Sequence, residues 1–405
     1  MHRYNRPPVG GASSAGTSSA GTSSVADAAL ELEDGSVFNG VAFGSRRSRS
    51  GEVVFSTGMA GYPQSLSDPS FRGQILVSTY PLVGNYGVPV DPATGAPGLD
   101  YRGVPLYFES DRAQVSGLVV SELCERPSHY ASGSTLSAWL DANGVPGISG
   151  IDTRALTERL RERGTMRGSI IVQGAAAAPE GGGSAHPVSE VSPTGVRVYE
   201  SGDAAPGRGR APRIVLVDCG AKANILRCLF ARGATVIRVP WDHDLSGIEY
   251  DGLFLSNGPG DPKACGKTIA MTRRAIALGK PIFGVCLGNQ ILALAAGADS
   301  YKLPYGHRSQ NQPCVELSTG RCHITSQNHG YAVKAESLPR GWETWFQNAN
   351  DGTVEGIRST RGPFSAVQFH PEGCPGPRDT EYLIDRFVEE ACDRAGLRGA
   401  ARVSA

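Results

Sequence analysis

The sequence predicts an α/β protein, with a strand-rich α+β domain first and a doubly wound, mostly parallel sheet after it. Three observations carry this expectation. Through the second half, short apolar runs alternate with amphipathic helical stretches, the pattern of right-handed βαβ units. The first half instead alternates apolar and polar residues around turn dipeptides. Between them lies a Gly-, Ala- and Pro-rich stretch that cannot bury enough apolar surface to order itself. A chain of 405 residues also fits two or three domains at about 100–200 residues each. The boundaries expected are a disordered tail over 1–27, a first domain over 28–173, a flexible linker over 174–212, a second domain over 213–396 and a tail over 397–405.

In the first domain, Leu30 to Phe38 alternates about Asp34-Gly35, which predicts a β-hairpin. Further strands are expected at 74–80 and 117–121, and a helix at 135–142. A second helix has Asp152 as N-cap, Gly164 as stop, and Leu156 and Leu160 on one face. Nothing in this half names a chemistry. In the second half, strands are expected at 214–218, 235–239, 252–256 and 281–285, with helices at 225–232, 268–278 and 287–296. Sites in such sheets lie at the carboxyl ends of the strands.

Composition excludes several classes. Hydrophobic residues make up 40% and charged residues 19%, so a packed core is available and wholesale disorder is not expected. The 39 basic and 39 acidic residues cancel, leaving no general attraction to nucleic acid or an anionic membrane. No apolar run approaches the roughly 18 residues of a membrane span. Neither nucleic acid nor membrane is therefore expected as a partner. The nine cysteines are scattered without a CxxC pair, which argues against a zinc site or a disulfide framework and for a reducing compartment. A cytoplasmic location is expected. Residues 1–26 hold two arginines and no acid, so organellar targeting stands beside the reading of a plain tail.

The chemistry is carried by Gly284-Val285-Cys286-Leu287-Gly288, between an expected strand and an expected helix. This is the G-x-nucleophile-x-G spacing of a nucleophile elbow. A turn that tight leaves no room for side chains beside the nucleophile, so glycines flank it. The sulfur then sits at a helix N-terminus, whose dipole favours a thiolate. The amide of Leu287 is placed to donate to an oxyanion. A base is offered by His370, at the end of the strand-like Phe364 to Phe369, and Glu372 can orient its ring. A third string, Ser256-Asn257-Gly258-Pro259-Gly260-Asp261-Pro262, ends another strand, and its glycines let backbone amides approach a small ligand. A phosphate loop fits poorly, because its first glycine would fall on Asp261.

Together, the strings 256–262, 284–290 and 369–372 closely resemble the class I, triad-type glutamine amidotransferases. Gly51 to Tyr62, Thr79 to Asn85, Gly150 to Arg154 and Ser326 to Tyr331 look like the small, glutamine-hydrolysing subunit of carbamoyl phosphate synthetase. The resemblance spans about residues 28–390 and is closer to the fused eukaryotic enzymes than to bacterial small subunits. It implies that Cys286 attacks the carboxamide of L-glutamine, that His370 moves the proton and that Glu372 orients His370. The amide of Leu287, with that of Gly258 or Gly260, would form the oxyanion hole. Gln290, Asn328, Gly330 and Tyr331 would hold the amino-acid end, and some relatives carry a glutamine-contacting serine where this chain has Gly58. No metal or cofactor is implied in this chain. ATP and a metal ion belong to the partner, a synthetase large subunit or fused synthetase domains, which makes carbamoyl phosphate for pyrimidines or arginine.

One departure stands out, because Asn289 replaces the family's usual His and cannot titrate near neutrality. Two other readings follow: a weakened or non-catalytic activator of the synthetase, and an unrelated elbow-type cysteine hydrolase.

Overall fold

The computed structural model of the chain describes residues 26–177, 186–201 and 210–397. The first half runs β1 (Ala28–Leu32), β2 (Val37–Gly44), β3 (Arg49–Ser56), α1 (Tyr62–Ser67), β4 (Gln74–Ser78), β5 (Leu82–Val83), β6 (Gly117–Val119), β7 (Glu122–Leu123), α2 (Leu136–Ala142), β8 (Pro146–Ser149), α3 (Thr153–Arg163) and β9 (Met166–Val172). Seven of these strands close a barrel in the order β1-β2-β8-β6-β4-β3-β9, with β9 pairing back onto β1. The β1–β2 hairpin places Leu30 opposite Phe38, as the alternation predicts, and Gly35 turns it at φ 83°. Inside the barrel Leu30, Val53, Ile75, Val77, Ile148 and Ile170 are fully buried, and Leu156 and Leu160 of α3 pack on the same cluster. Asp152 caps α3 by accepting from the amide of Ala155 at 2.9 Å, and Gly164 ends it.

The second half runs α4 (Pro187–Val191), β10 (Arg197–Tyr199), β11 (Arg213–Asp218), α5 (Ala223–Ala231), β12 (Thr235–Pro240), β13 (Gly252–Leu255), α6 (Gly266–Ala277), β14 (Ile282–Val285), α7 (Leu287–Ala296), β15 (Ser300–Glu316), β16 (Cys322–Val333), β17 (Trp342–Asn348), β18 (Val354–Ser359), β19 (Phe364–Val367) and α8 (Tyr382–Arg394). They build a ten-stranded sheet ordered β10-β12-β11-β13-β14-β19-β18-β16-β15-β17. From β12 to β19 the pairings are parallel, as the βαβ pattern predicts, while β18, β16, β15 and β17 extend it antiparallel. Two apolar layers flank the parallel part, one with α5 and α8 and the other with α6 and α7.

The flexible linker expected over 174–212 is corrected at residues 186–201. There β10 pairs antiparallel with the edge strand β12, and Val188 and Tyr199 are buried at 4% and 5% exposure. Those two apolar anchors act with the Ser192 hydroxyl on the Asp218 carbonyl and the Arg72–Glu190 pair to order a segment that composition marks as loose. The expected tails lie almost wholly outside the described residues. Among the described residues no helix is long and apolar enough to cross a membrane.

Candidate active site

The elbow forms where β14 ends and α7 begins. Cys286 is the N-cap, at φ 55° and ψ −104°, a strained conformation for a residue with a side chain. Close approach explains the flanking glycines. A Cβ on Gly284 would stand 2.6 Å from the Gly288 backbone, and one on Gly288 would stand 2.2 Å from the Leu255 carbonyl oxygen. The strain is held by the amide of Cys286, which donates to Val367 of β19 at 2.8 Å, and by the first turn of α7. As a residue Cys286 is only 2% exposed, yet it lines a cavity of about 600 Å³, solvent-filled mouth included, and its thiol lies 3.5 Å from the Asn328 carbonyl oxygen.

Behind the thiol lies the imidazole. His370 follows β19, and its Nδ1 is 2.7 Å from Glu372 Oε1. Both side chains are buried, and Nε2 has no hydrogen bond of complete geometry, although the Cys286 thiol is close enough to favour the protonated ring. Burial, the largest influence, disfavours the imidazolium, but the Glu372 carboxylate outweighs it and holds the His370 pKa well above its ordinary value. Glu372 is held correspondingly low: burial pushes its pKa up, and His370 and Lys222 more than reverse that.

Lys222 is a participant that the sequence reading missed. Its Nζ is buried, donates to the Gly373 carbonyl at 2.6 Å and lies 3.3 Å from Glu372 Oε1. Glu109 reaches the same region from the first half of the chain, pairing with Arg227 at 2.8 Å and accepting from the Asn224 amide. Asn224 in turn donates to the Glu372 carbonyl at 2.6 Å. No spacing signal marks these groups, because they come from three separate segments.

The cavity unites most of the residues expected to bind substrate. Gly258, Gly260, Leu287, Gln290, Asn328, Gly330 and Tyr331 line it with Cys286. A Cβ on Gly258 would stand 2.2 Å from the Cys219 carbonyl oxygen, so only glycine lets this loop lie so close to Leu287 and the elbow. Asn257 pins the loop, donating to Ser70 Oγ at 2.9 Å and accepting from the Lys222 amide at 3.0 Å. Asn328 is fixed by Asp68 at 3.0 Å, and Gln290 donates to the Tyr331 carbonyl at 2.9 Å. Gly58 does not join the group. It faces an adjoining crevice with Met59 and Tyr62, and the Gln310 amide covers it. Asn289 is fully buried and donates to Gln368 Oε1 at 3.1 Å, so it supports the scaffold under Gln290 and not the Cys–His–Glu line.

The barrel supplies a wall of its own through Glu52, Ser70, Gln74 and Thr165, facing Lys302, Tyr305 and Arg308 of β15. Among the described residues, one group of three could meet a metal ion: His307, His329 and Glu355, with ligand atoms within 4.8 Å of one another. Glu355 already lies 3.3 Å from His307 Nδ1, and His307 Nε2 lies 2.8 Å from Asp351. This reads as a buried ion-pair network bracing the strand that carries Asn328 to Tyr331. Cys374, next to the triad carboxylate, is no rival nucleophile, since burial pushes its thiol up to about 12.

Two family profiles match the chain. "Carbamoyl-phosphate synthase small chain, CPSase domain" covers residues 30–170, and "Glutamine amidotransferase class-I" covers residues 215–390. The carbamoyl phosphate synthase small chain of Symbiobacterium thermophilum is 49% identical over 370 residues, covering 88% of this chain and 96% of that protein. An arginine-specific small chain from Chaetomium globosum is 44% identical, covering 90% of this chain and 78% of its own length. The multifunctional protein pyr1-3 of Dictyostelium discoideum is 47% identical over 90% of this chain, but the chain spans only 17% of that protein.

Proposed function

The chain belongs to the carbamoyl phosphate synthase small-chain family, with a class I glutamine amidotransferase domain, and from that premise we propose that it releases ammonia from glutamine by covalent catalysis at Cys286. The observation that carries the proposal is a strained cysteine at a helix N-terminus, opening on a cavity, with a buried His370–Glu372 pair behind it.

The imidazole is held protonated by Glu372, so it acts first as an acid. Cys286 Sγ, as the thiolate, attacks the carboxamide carbon. Negative charge grows on the carboxamide oxygen beside the amide of Leu287, which has no carbonyl partner within α7. The second donor is the amide of Gly258 or Gly260. His370 gives its proton to the departing nitrogen, the C–N bond breaks and ammonia leaves a γ-glutamyl thioester. Neutral His370 then takes a proton from water, the hydroxide attacks, and glutamate leaves as the thiolate is restored. Each step uses groups of this chain alone.

The ammonia goes to a synthetase partner that consumes bicarbonate and ATP. Relatives that are separate small chains and relatives that are long multifunctional proteins support both a detached and a fused partner. Labelled glutamine mixed with the protein and quenched in acid should leave label on Cys286, and Cys286→Ala should release no ammonia. Wild-type ammonia release by Cys286→Ala would end the proposal. Turnover of simple esters without any action on glutamine would favour the unrelated hydrolase instead.

A further inference from the structure

The buried network of His307, His329 and Glu355 is short of protons. His307 sits on β15, His329 on β16 and Glu355 on β18. His307 meets a carboxylate at each ring nitrogen: Nδ1 lies 3.3 Å from Glu355 Oε1, and Nε2 lies 2.8 Å from Asp351 Oδ2. His329 also meets acceptors at both. Its Nδ1 lies 2.9 Å from the Tyr331 carbonyl oxygen, and its Nε2 lies 3.1 Å from Gln327 Oε1 and 3.7 Å from Glu355 Oε1. The Gln327 amide cannot turn round to relieve this. Its nitrogen donates to Thr325 Oγ1 at 3.2 Å, and that hydroxyl gives its own proton to the Gln312 carbonyl at 2.8 Å. Acceptors at all four ring nitrogens call for two imidazolium ions, with ring centres 4.9 Å apart. Like charges that close repel, and burial disfavours both.

A metal ion removes the conflict. With Nε2–H donated to Asp351, His307 offers the lone pair of Nδ1. With Nδ1–H donated to the Tyr331 carbonyl, His329 offers that of Nε2. A carboxylate and a backbone carbonyl are the usual outer partners of metal-bound imidazoles. Glu355 supplies a second sign. Its Oε1 is approached by Asn348 and Thr353 as well as His307, whereas Oε2 is buried with no partner among the described residues. Ligands about 2.1 Å from a tetrahedral zinc ion stand about 3.4 Å apart. The separations of 3.3, 3.7 and 3.1 Å bracket that value. All three residues place a ligand atom within 4.8 Å of the others, a gap that an ion closes by drawing the rings together. Two imidazoles, a carboxylate and an amide oxygen suit a borderline ion such as Zn²⁺ better than Ca²⁺ or Mg²⁺, which take oxygen ligands.

We propose that His307 Nδ1, His329 Nε2, Gln327 Oε1 and the Glu355 carboxylate form a structural site for a divalent transition-metal ion of the zinc class, which ties β15, β16 and β18 together. Asn328 lies in sequence between two of these ligands, and its carbonyl oxygen is 3.5 Å from the Cys286 thiol. The ion therefore braces the cavity wall from behind. Four protein donors leave no open position for a substrate, so the ion takes no part in the chemistry at Cys286. The site and the glutamine reading stand or fall separately.

The test strips the full chain with a chelator and returns Zn²⁺ or Co²⁺ against a competing chromophoric chelator. Wild type should take up one ion per chain. Bound Co²⁺ should show the strong visible absorption of a tetrahedral nitrogen-and-oxygen site, with no thiolate-to-cobalt band. Glu355→Gln should weaken uptake by about 10²-fold or more, and Asp351→Asn, which alters only an outer partner, by about 10–100-fold. The Asp351 side chain is 42% exposed, so that variant decides alone if Glu355→Gln does not fold. No uptake by wild type overturns the proposal. So does uptake that the folded variants leave within a few-fold of wild type. A thiolate-to-cobalt band overturns it as well, because the ion then sits on cysteines.

Discussion

Glu372→Gln isolates the electrostatics of the site with little change of shape. In the native protein, His370 Nδ1 and Glu372 Oε1 lie 2.7 Å apart and both are buried. At an effective dielectric of about 20, unit charges at that spacing attract by about 6 kcal/mol. Burial opposes the imidazolium, and the carboxylate wins. Glutamine keeps the volume and removes the charge, so burial and the Lys222 charge act against the imidazolium with only the Cys286 thiol on its side, and the His370 pKa falls toward or below its ordinary 6.5. Near pH 7.5 the variant then lacks the acid that protonates ammonia. Loss of a triad carboxylate typically costs about 10⁴ in kcat, and about 10³–10⁴ is expected here. The His370 limb of the pH–rate profile should move to lower pH. Stability gives a second readout. His370, with its raised pKa, stabilises the fold fully below 6.5, and that contribution fades as pH rises through the raised value. Glu372, with its lowered pKa, stabilises fully above 4.5, and that fades as pH falls through the lowered value. The stability gap between wild type and variant should therefore be widest between pH 4.5 and 6.5. Urea titrations across pH and a pH series of kcat/KM measure both. A variant with wild-type kcat and an unmoved profile would refute the reasoning.

Lys222→Met should move the same limb the opposite way, to higher pH, because the Lys222 charge lowers the His370 pKa. It also breaks a buried pair with Glu372, so denaturation in urea should show a loss of about 3–5 kcal/mol. An unchanged unfolding midpoint would contradict the pairing. Gly258→Ala should lower kcat by about 10²–10³ through a displaced oxyanion donor, since its Cβ would stand 2.2 Å from the Cys219 carbonyl oxygen. Crystals of that variant with an unmoved loop and full activity would count against Gly258 as a needed close approach.

The legible parts of this protein are those in which neighbours in sequence are neighbours in space. The elbow is one: Gly284, Cys286 and Gly288 act on each other's backbones, so the requirement is written in five consecutive residues. The α3 caps and the parallel strands are others, because a cap or a period is local. Barrel closure was not legible. It joins β9 to β1 and β3 to β4 across long loops, and edge pairings leave no mark in the strands' alternation. The charged wall was hidden for a related reason, since Glu52, Lys302 and Arg308 look like ordinary surface residues until β15 is folded against the barrel. Lys222 was hidden because burial of a lysine becomes visible only with its partners Glu372 and Glu109 in place. Asn289 was legible as a departure in residue type but not in its contact, since only the helical turn shows that its side chain goes to Gln368.

These hidden contacts change what counts as the site. The amidotransferase sheet contributes the nucleophile, the imidazole and the amides at the elbow. Yet Asn328 is oriented by Asp68, and Asn257 by Ser70, both from the segment between α1 and β4. Glu52 of the barrel neutralises Lys302, and Glu109 faces Lys222, which itself faces Glu372. A chain of buried charges thus runs from the first half through Lys222 to Glu372. Any displacement of the barrel against the sheet would alter the cavity wall and, through Lys222, the protonation of His370. The barrel is therefore part of the wall of the cavity that holds Cys286 as well as its neighbour, and under the proposed function a shift of the barrel would reach His370 through Lys222.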